Sequence, residues 1–129
     1  MAERLLLVDE SKVVREAFES HFSACGFEVE TAGSLREAAE RLSHTSFTAV
    51  VVDVSGPEGL ATAAHLRQMD VGDAPVVVLT AYGAPQRAAD AARLGVDVFL
   101  HKPVSLLWLE RLLRASAGRG SGRGKAAAV

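Results

Sequence analysis

Four short aliphatic runs in this 129-residue chain stop beside residues equipped for chemistry. Asp9 and Glu10 follow RLLLV at 4–8, Asp53 closes AVVVD at 49–53, Thr80 follows PVVVL at 75–79, and Lys102 stands just beyond VDVFL at 96–100. Gathered in one place, Asp9, Glu10 and Asp53 would repel one another and raise the proton affinity of at least one carboxyl. A hard divalent cation resolves that conflict. An all-oxygen donor set suits Mg2+, with Mn2+ as a substitute. No cysteine stands at these run ends, and strand alternation turns His101 away from Lys102, so the set does not suit zinc. Lys102 adds a cation opposite the acids, and Thr80 adds a hydroxyl donor. The ensemble is complementary to a phosphoryl group bridged by the metal. Taken singly, each residue has a plainer use: an Asp after a strand caps a turn, Thr80 is a turn residue, and a lysine is a solvated charge. The chemistry depends on whether the fold brings them together.

The segments between the runs supply that fold. From Lys12 to Cys25 the apolar residues Val14, Ala17, Phe18, Phe22 and Cys25 recur at helical spacing. Phe27–Ala32 alternates as a strand, and Ser34 with Glu37 predicts a capping box opening a helix that carries Leu35, Ala38, Ala39 and Leu42 on one face. Leu60–Met69 reads as a third helix, Pro85 opens a fourth that Gly95 stops, and Val104–Ala115 is a fifth. The sum is (βα)5, too few units for a closed eight-stranded barrel. Continuously apolar strands belong in a parallel sheet covered on both faces. The expected fold is therefore α/β, an open doubly wound, flavodoxin-like sheet of order 2-1-3-4-5. In such a sheet every strand's carboxyl end lies along one edge. Separations of 44, 27 and 22 residues between Asp9, Asp53, Thr80 and Lys102 then collapse into one cluster.

Composition bounds the partners. With 49% apolar and 23% charged residues, one globular core is expected, over residues 1–116. Cys25 is the only cysteine, which excludes an internal disulfide and a cysteine-cluster metal site. No apolar run reaches the roughly 20 residues of a membrane span and no signal peptide opens the chain, so a soluble cytoplasmic protein is expected. Residues 1–114 carry 11 Lys/Arg against 16 Asp/Glu, a balance that disfavours nucleic-acid binding by the folded body. Residues 117–129 are basic, with glycine at 118, 120, 122 and 124. Having little to bury, they are expected to be a disordered tail or linker.

Residues 4–115 resemble the receiver domain of bacterial two-component response regulators, the CheY-like superfamily. The resemblance rests on LLLVDES, VVVD with Pro57 and Gly59–Leu60 after it, VVVLTAYG, and VFLHKPV. It implies a signalling domain, not an enzyme acting on an external substrate. In it Asp53 takes a phosphoryl group from a histidine kinase or phosphotransfer protein. It implies Glu10 as a direct metal ligand, Asp9 acting largely through water, and the Ser55 carbonyl as a further ligand. Thr80 and the Ala81 amide would contact the phosphoryl group, Lys102 would be the family lysine before Pro103, and Phe99 the aromatic that turns inward on activation. Ser55 and Tyr82 occupy the places that tune hydrolysis. The domain would be a monomer or a phosphorylation-dependent dimer, passing its signal to an output partner or a fused output domain. Two departures stand out. Gly59 follows Asp53 after only five residues, a shorter loop than usual, and Glu10 replaces the commoner Asp.

Rival readings are weaker. A dehalogenase-like Mg2+ phosphatase needs a second Asp two residues after its nucleophile, where Ser55 stands. A flavodoxin needs a hydroxyl- and glycine-rich phosphate loop after the first strand, where DESKVV is acidic. A receiver-shaped docking domain that works without phosphorylation is the alternative the shortened loop favours. No helix-turn-helix follows residue 115, so any output domain would lie beyond this chain. His21 reads as a partly buried face residue and Cys25 as packed rather than reactive. The last helix has more apolar positions than one buried stripe needs, which marks the face around Trp108 as a partner surface.

Overall fold

Aliphatic strands that cannot tolerate water on either side require two layers of helix, and the chain provides them. The computed structural model describes residues 3–54, 59–69, 71, 74–80, 96–117 and 127–128. Strands β1 (Arg4–Val8), β2 (Glu28–Ala32), β3 (Ala49–Val54), β4 (Val76–Thr80) and β5 (Val98–His101) form a parallel sheet of order 2-1-3-4-5. Ala127–Ala128 adds a two-residue strand, β6, beside Val98 and Phe99. The helices are α1 (Lys12–Ala24), α2 (Leu35–His44), α3 (Gly59–Gln68) and a C-terminal helix, Leu106–Ala117. The expected helix opening at Pro85 lies outside the described residues, as do 118–126 of the tail.

Alternation along the strands splits the core in two. Leu6, Val8, Val50, Val52, Val76, Val78 and Phe99 pack with Ala38 of α2 and with Ala63 and Leu66 of α3. Leu5, Leu7, Val51, Val77, Leu79 and Leu100 pack with Phe18 and Phe22 of α1 and with Leu109 and Leu113 of the C-terminal helix. Leu106, Leu107 and Trp108 remain exposed on that helix, as its surplus of apolar positions predicts.

Side-chain capping explains where several elements begin and end. Ser11 Oγ accepts the Val14 N–H and starts α1. At the other end Gly26 adopts φ +98°, donating its N–H to Ser23 O while Phe27 N–H reaches Phe22 O. This paired closure is sealed by the Phe22 and Phe27 rings, 5.8 Å apart. Ser34 caps α2 as expected, but Glu37 reaches back to the Gly33 N–H rather than to that of Ser34. Two expected starts move by two residues. β5 begins at Val98, two residues late, because the Asp97 carboxylate takes the Val76 N–H at 2.7 Å. The last helix begins at Leu106 because Ser105 caps it through Trp108 N–H.

Candidate functional site

The carboxyl edge of the sheet gathers Asp9, Asp53, Thr80 and Lys102. Register places Asp53 opposite Leu79 and Thr80 opposite His101, the residue before Lys102. Lys102 Nζ lies 2.5 Å from Asp53 Oδ1, joining ends of β3 and β5 that are separated by β4. The Asp53 side chain is only 9% exposed, whereas Lys102 keeps 36% of its surface in water. Lys102 is also tied through its backbone: its N–H donates to Thr80 O at 2.7 Å, and the peptide bond to Pro103 is cis. Thr80 is buried at the end of β4.

Asp9 sits beside this pair. It is buried, and its carboxyl holds its proton more tightly than an ordinary aspartate. Burial is the main cause, reinforced by the negative charge of Asp53 and a hydrogen bond with its carboxyl; the Ser11 N–H and the Lys102 charge pull the other way. Asp9 Oδ1 accepts the Ser11 N–H at 2.8 Å, so the turn that caps α1 also fixes the acid. Glu10 is exposed, and its carboxylate does not converge with those of Asp9 and Asp53 as closely as the two converge on each other. Ser55, Ala81 and Tyr82 lie outside the described residues, as does the shortened loop at 55–58.

Phe99 is 5% exposed and packs on the same sheet face as Val78. Its ring therefore already lies inward in this structure. Sequence reasoning missed Arg15. From α1 its guanidinium donates to Asp9 O at 2.7 Å, through space that a side chain at residue 33 would fill: a Cβ on Gly33 would come 2.8 Å from Arg15 Nη1. The positions of Arg15 in the helix and of Gly33 before α2 give no separate motif that would reveal this contact. Also missed was the Arg67–Asp97 pair at the opposite strand ends, 4.0 Å apart and largely buried. Its role is structural, since Asp97 holds β4 and Arg67 donates to Ala74 O.

The arrangement can therefore hold an anion-forming group at Asp53, keep a cation against it, and place a second carboxylate alongside. Residues 5–114 match the family model described as the response regulator receiver domain. The response regulator MprA of Mycolicibacterium vanbaalenii is 34% identical over 134 residues, covering all of this chain and 58% of that protein. The transcriptional activator protein PfeR of Pseudomonas aeruginosa is 34% identical over 109 residues, covering 83% of this chain and 35% of that protein. The chain thus spans little more than half the length of the curated relatives it matches, or less. Among solved structures, the chemotaxis protein CheY4 of Vibrio cholerae superposes with a TM-score of 0.79 at 26% identity, over 90% of this chain and 99% of that one. The Francisella response regulator 1452 receiver domain gives the same score at 22% identity, over 91% and 98%, and speaks for the fold alone.

Proposed function

The chain belongs to the response regulator receiver domain family, and from that premise we propose that Asp53 is the residue that carries the phosphoryl group. Receiver domains are phosphoacceptor signalling domains, and the chain is one. The observation that carries the assignment is the Asp53–Lys102 contact at 2.5 Å, with the Asp9 carboxyl alongside. One acid has a cation poised for charge transfer, and its neighbour has an electrostatic demand still to be met.

Receiver domains bind Mg2+ at the phosphorylation site, and the donors here fit it. Burial first, and then the nearby Asp53 charge, disfavours the ionised form of Asp9, and a divalent cation between the two carboxyls would offset both. Asp9 and Asp53 would hold the ion, with Glu10 and the Ser55 carbonyl completing the set and Mn2+ able to substitute. Mg2+ satisfied by two carboxylates and several waters does not need Glu10 to be already drawn in. When bound, the ion supplies positive charge to the transferring phosphoryl oxygens.

The chain's own part is short. An Asp53 carboxylate oxygen attacks the phosphorus of a phosphohistidine on a kinase or phosphotransfer protein. The O–P bond forms as the P–N bond breaks, and the departing imidazole nitrogen takes up a proton. Lys102 moves its charge from the free carboxylate to the phosphoryl oxygens, and the Thr80 hydroxyl donates to one of them. The phosphoryl group is later lost to water, without turnover of an external substrate. The exposed Leu106–Leu107–Trp108 face supports a partner surface on the C-terminal helix, serving an output partner or fused output domain. A cytoplasmic domain, monomeric or dimerising on phosphorylation, completes the reading. Among the described residues, no helix is long and apolar enough to cross a membrane.

Intact mass after incubation with a small phosphodonor and Mg2+ tests this directly. The wild type is expected to gain one phosphoryl group, and Asp53→Asn none. Labelling of that variant would overturn the assignment, and a folded wild type that never labels would favour phosphorylation-independent docking.

A further inference from the structure

The far end of the sheet from Asp53 carries a second set of convergent side chains. His21 and Cys25 are four residues apart at the end of α1, so both project from one side of it. Glu110 meets them from the C-terminal helix. We propose that His21, Cys25 and Glu110 bind a zinc ion, with the fourth coordination position open to solvent or to a partner's donor.

The distances carry the argument. His21 Nε2 lies 3.7 Å from Cys25 Sγ, and Cys25 Sγ lies 3.4 Å from Glu110 Oε1. All three ligand atoms fall within 4.8 Å of one another. Tetrahedral zinc, with bonds of about 2.3 Å to sulfur and about 2.0 Å to nitrogen and oxygen, requires its ligand atoms roughly 3.3–3.6 Å apart. The Cys25–Glu110 distance already falls in that range, and the His21–Cys25 distance is just above it. Among the described residues, no other His, Cys, Asp and Glu side chains gather three ligand atoms this closely.

The set is also held in place from behind. Cys25 is fixed as the capping residue of α1 by its N–H bonds to His21 O and Phe22 O and by the Gly26 turn that follows. Arg114 Nε binds Glu110 Oε2 at 3.1 Å, leaving Oε1 turned to the sulfur. Arg114 is itself anchored to Glu3 at 3.1 Å, to Cys25 O, and over the Phe27 ring at 4.4 Å. Such outer contacts orient metal ligands and keep the carboxylate charged. Glu110 is accordingly held below the usual carboxylate range, by Arg114 first and then by the Cys25 thiol. All three ligands are partly accessible, so an ion has a way in.

Binding would exchange a proton for a metal. The Cys25 S–H, which donates to Glu110 Oε1, releases its proton to solvent as the S–Zn bond forms. Zinc would then cross-link α1 to the C-terminal helix, which carries the exposed Trp108 face. A single cysteine excludes a cysteine cluster but not this mixed nitrogen, sulfur and oxygen site.

Cobalt titration of the full chain, followed by absorbance, provides the test. One equivalent of Co2+ should give the visible bands of a tetrahedral ion and a near-ultraviolet thiolate charge-transfer band, both erased by Zn2+. Cys25→Ser should lose the charge-transfer band, and Glu110→Gln and His21→Ala should each weaken binding roughly tenfold to a hundredfold. Excess Mg2+ should leave the thiolate charge-transfer band in place, which separates this site from the phosphoryl site. A folded wild type with no charge-transfer band at submillimolar cobalt would overturn the proposal. So would a band that survives Cys25→Ser, or binding indifferent to both Glu110→Gln and His21→Ala.

Discussion

Replacing Asp9 by Asn should make the metal-free protein more stable at neutral pH. Asn keeps the oxygen that accepts the Ser11 N–H at 2.8 Å, so the cap on α1 survives. What disappears is a buried charge facing Asp53. Two like charges about 4 Å apart, at the effective dielectric of about 20 that suits protein sites, repel by about 4 kcal/mol. Lys102, 2.5 Å from Asp53, cancels most of that, so the net gain should be about 1 kcal/mol. For a domain of this size that raises the melting temperature by about 4 °C. The pH dependence fixes the cause. Above the ordinary aspartate value of 3.8 and up to the raised native value, the folded wild type holds more protons than the unfolded chain. Its stability therefore falls as pH rises through that window. Asn does not titrate, so the advantage of the variant should be absent below the window, grow across it and be complete above it. Divalent cation should reverse the order: Mg2+ at about ten times its dissociation constant adds about 1.4 kcal/mol to a protein that binds it, and the variant should gain less. Urea unfolding followed by circular dichroism, across pH with and without Mg2+, reads all of this. A variant less stable than wild type at neutral pH, or one whose advantage is equally large below the window, would refute the reasoning.

Lys102→Ala leaves Asp53 and Asp9 uncompensated and should slow labelling by a small phosphodonor roughly a hundredfold, measured by timed intact mass. Asp97→Ala removes the buried acceptor of the Val76 N–H and the carboxylate beside Arg67, and should cost roughly 2–4 kcal/mol in urea unfolding without changing the chemistry at Asp53. Deleting residues 118–129 removes the two-residue pairing of β6 with Val98 and Phe99, and should move the melting temperature by less than about 2 °C.

Much of this architecture is legible in the linear chain because its signals are local and repeated. RLLLV, AVVVD and PVVVL announce buried strands by themselves, and the topology rule for parallel sheets then carries Asp9, Asp53, Thr80 and Lys102 to one edge. Local signals stop where a side chain acts on a distant backbone group. Asp97 reads as a strand residue until its carboxylate is seen to take the Val76 N–H, 21 residues away. Glu110 lies 85 residues from Cys25, and nothing in helical spacing pairs them. Arg15 is one more charged position on a helix until Gly33 is seen to leave it room to reach Asp9 O.

The backbone bond from Lys102 N–H to Thr80 O gives the edge of the sheet a mechanical property. In the proposed function Thr80 and Lys102 meet the same phosphoryl group with their side chains, and their main chains are already fastened together. A pull on the threonine hydroxyl is therefore also a pull on the root of the lysine, and through it on β5, where Phe99 is packed against Val78. In that reading the two residues would act as jaws on one hinge. Charge arriving at Asp53 would be read as displacement of a whole strand end, and the start of the C-terminal helix, four residues beyond Lys102, is where that displacement would reach the surface.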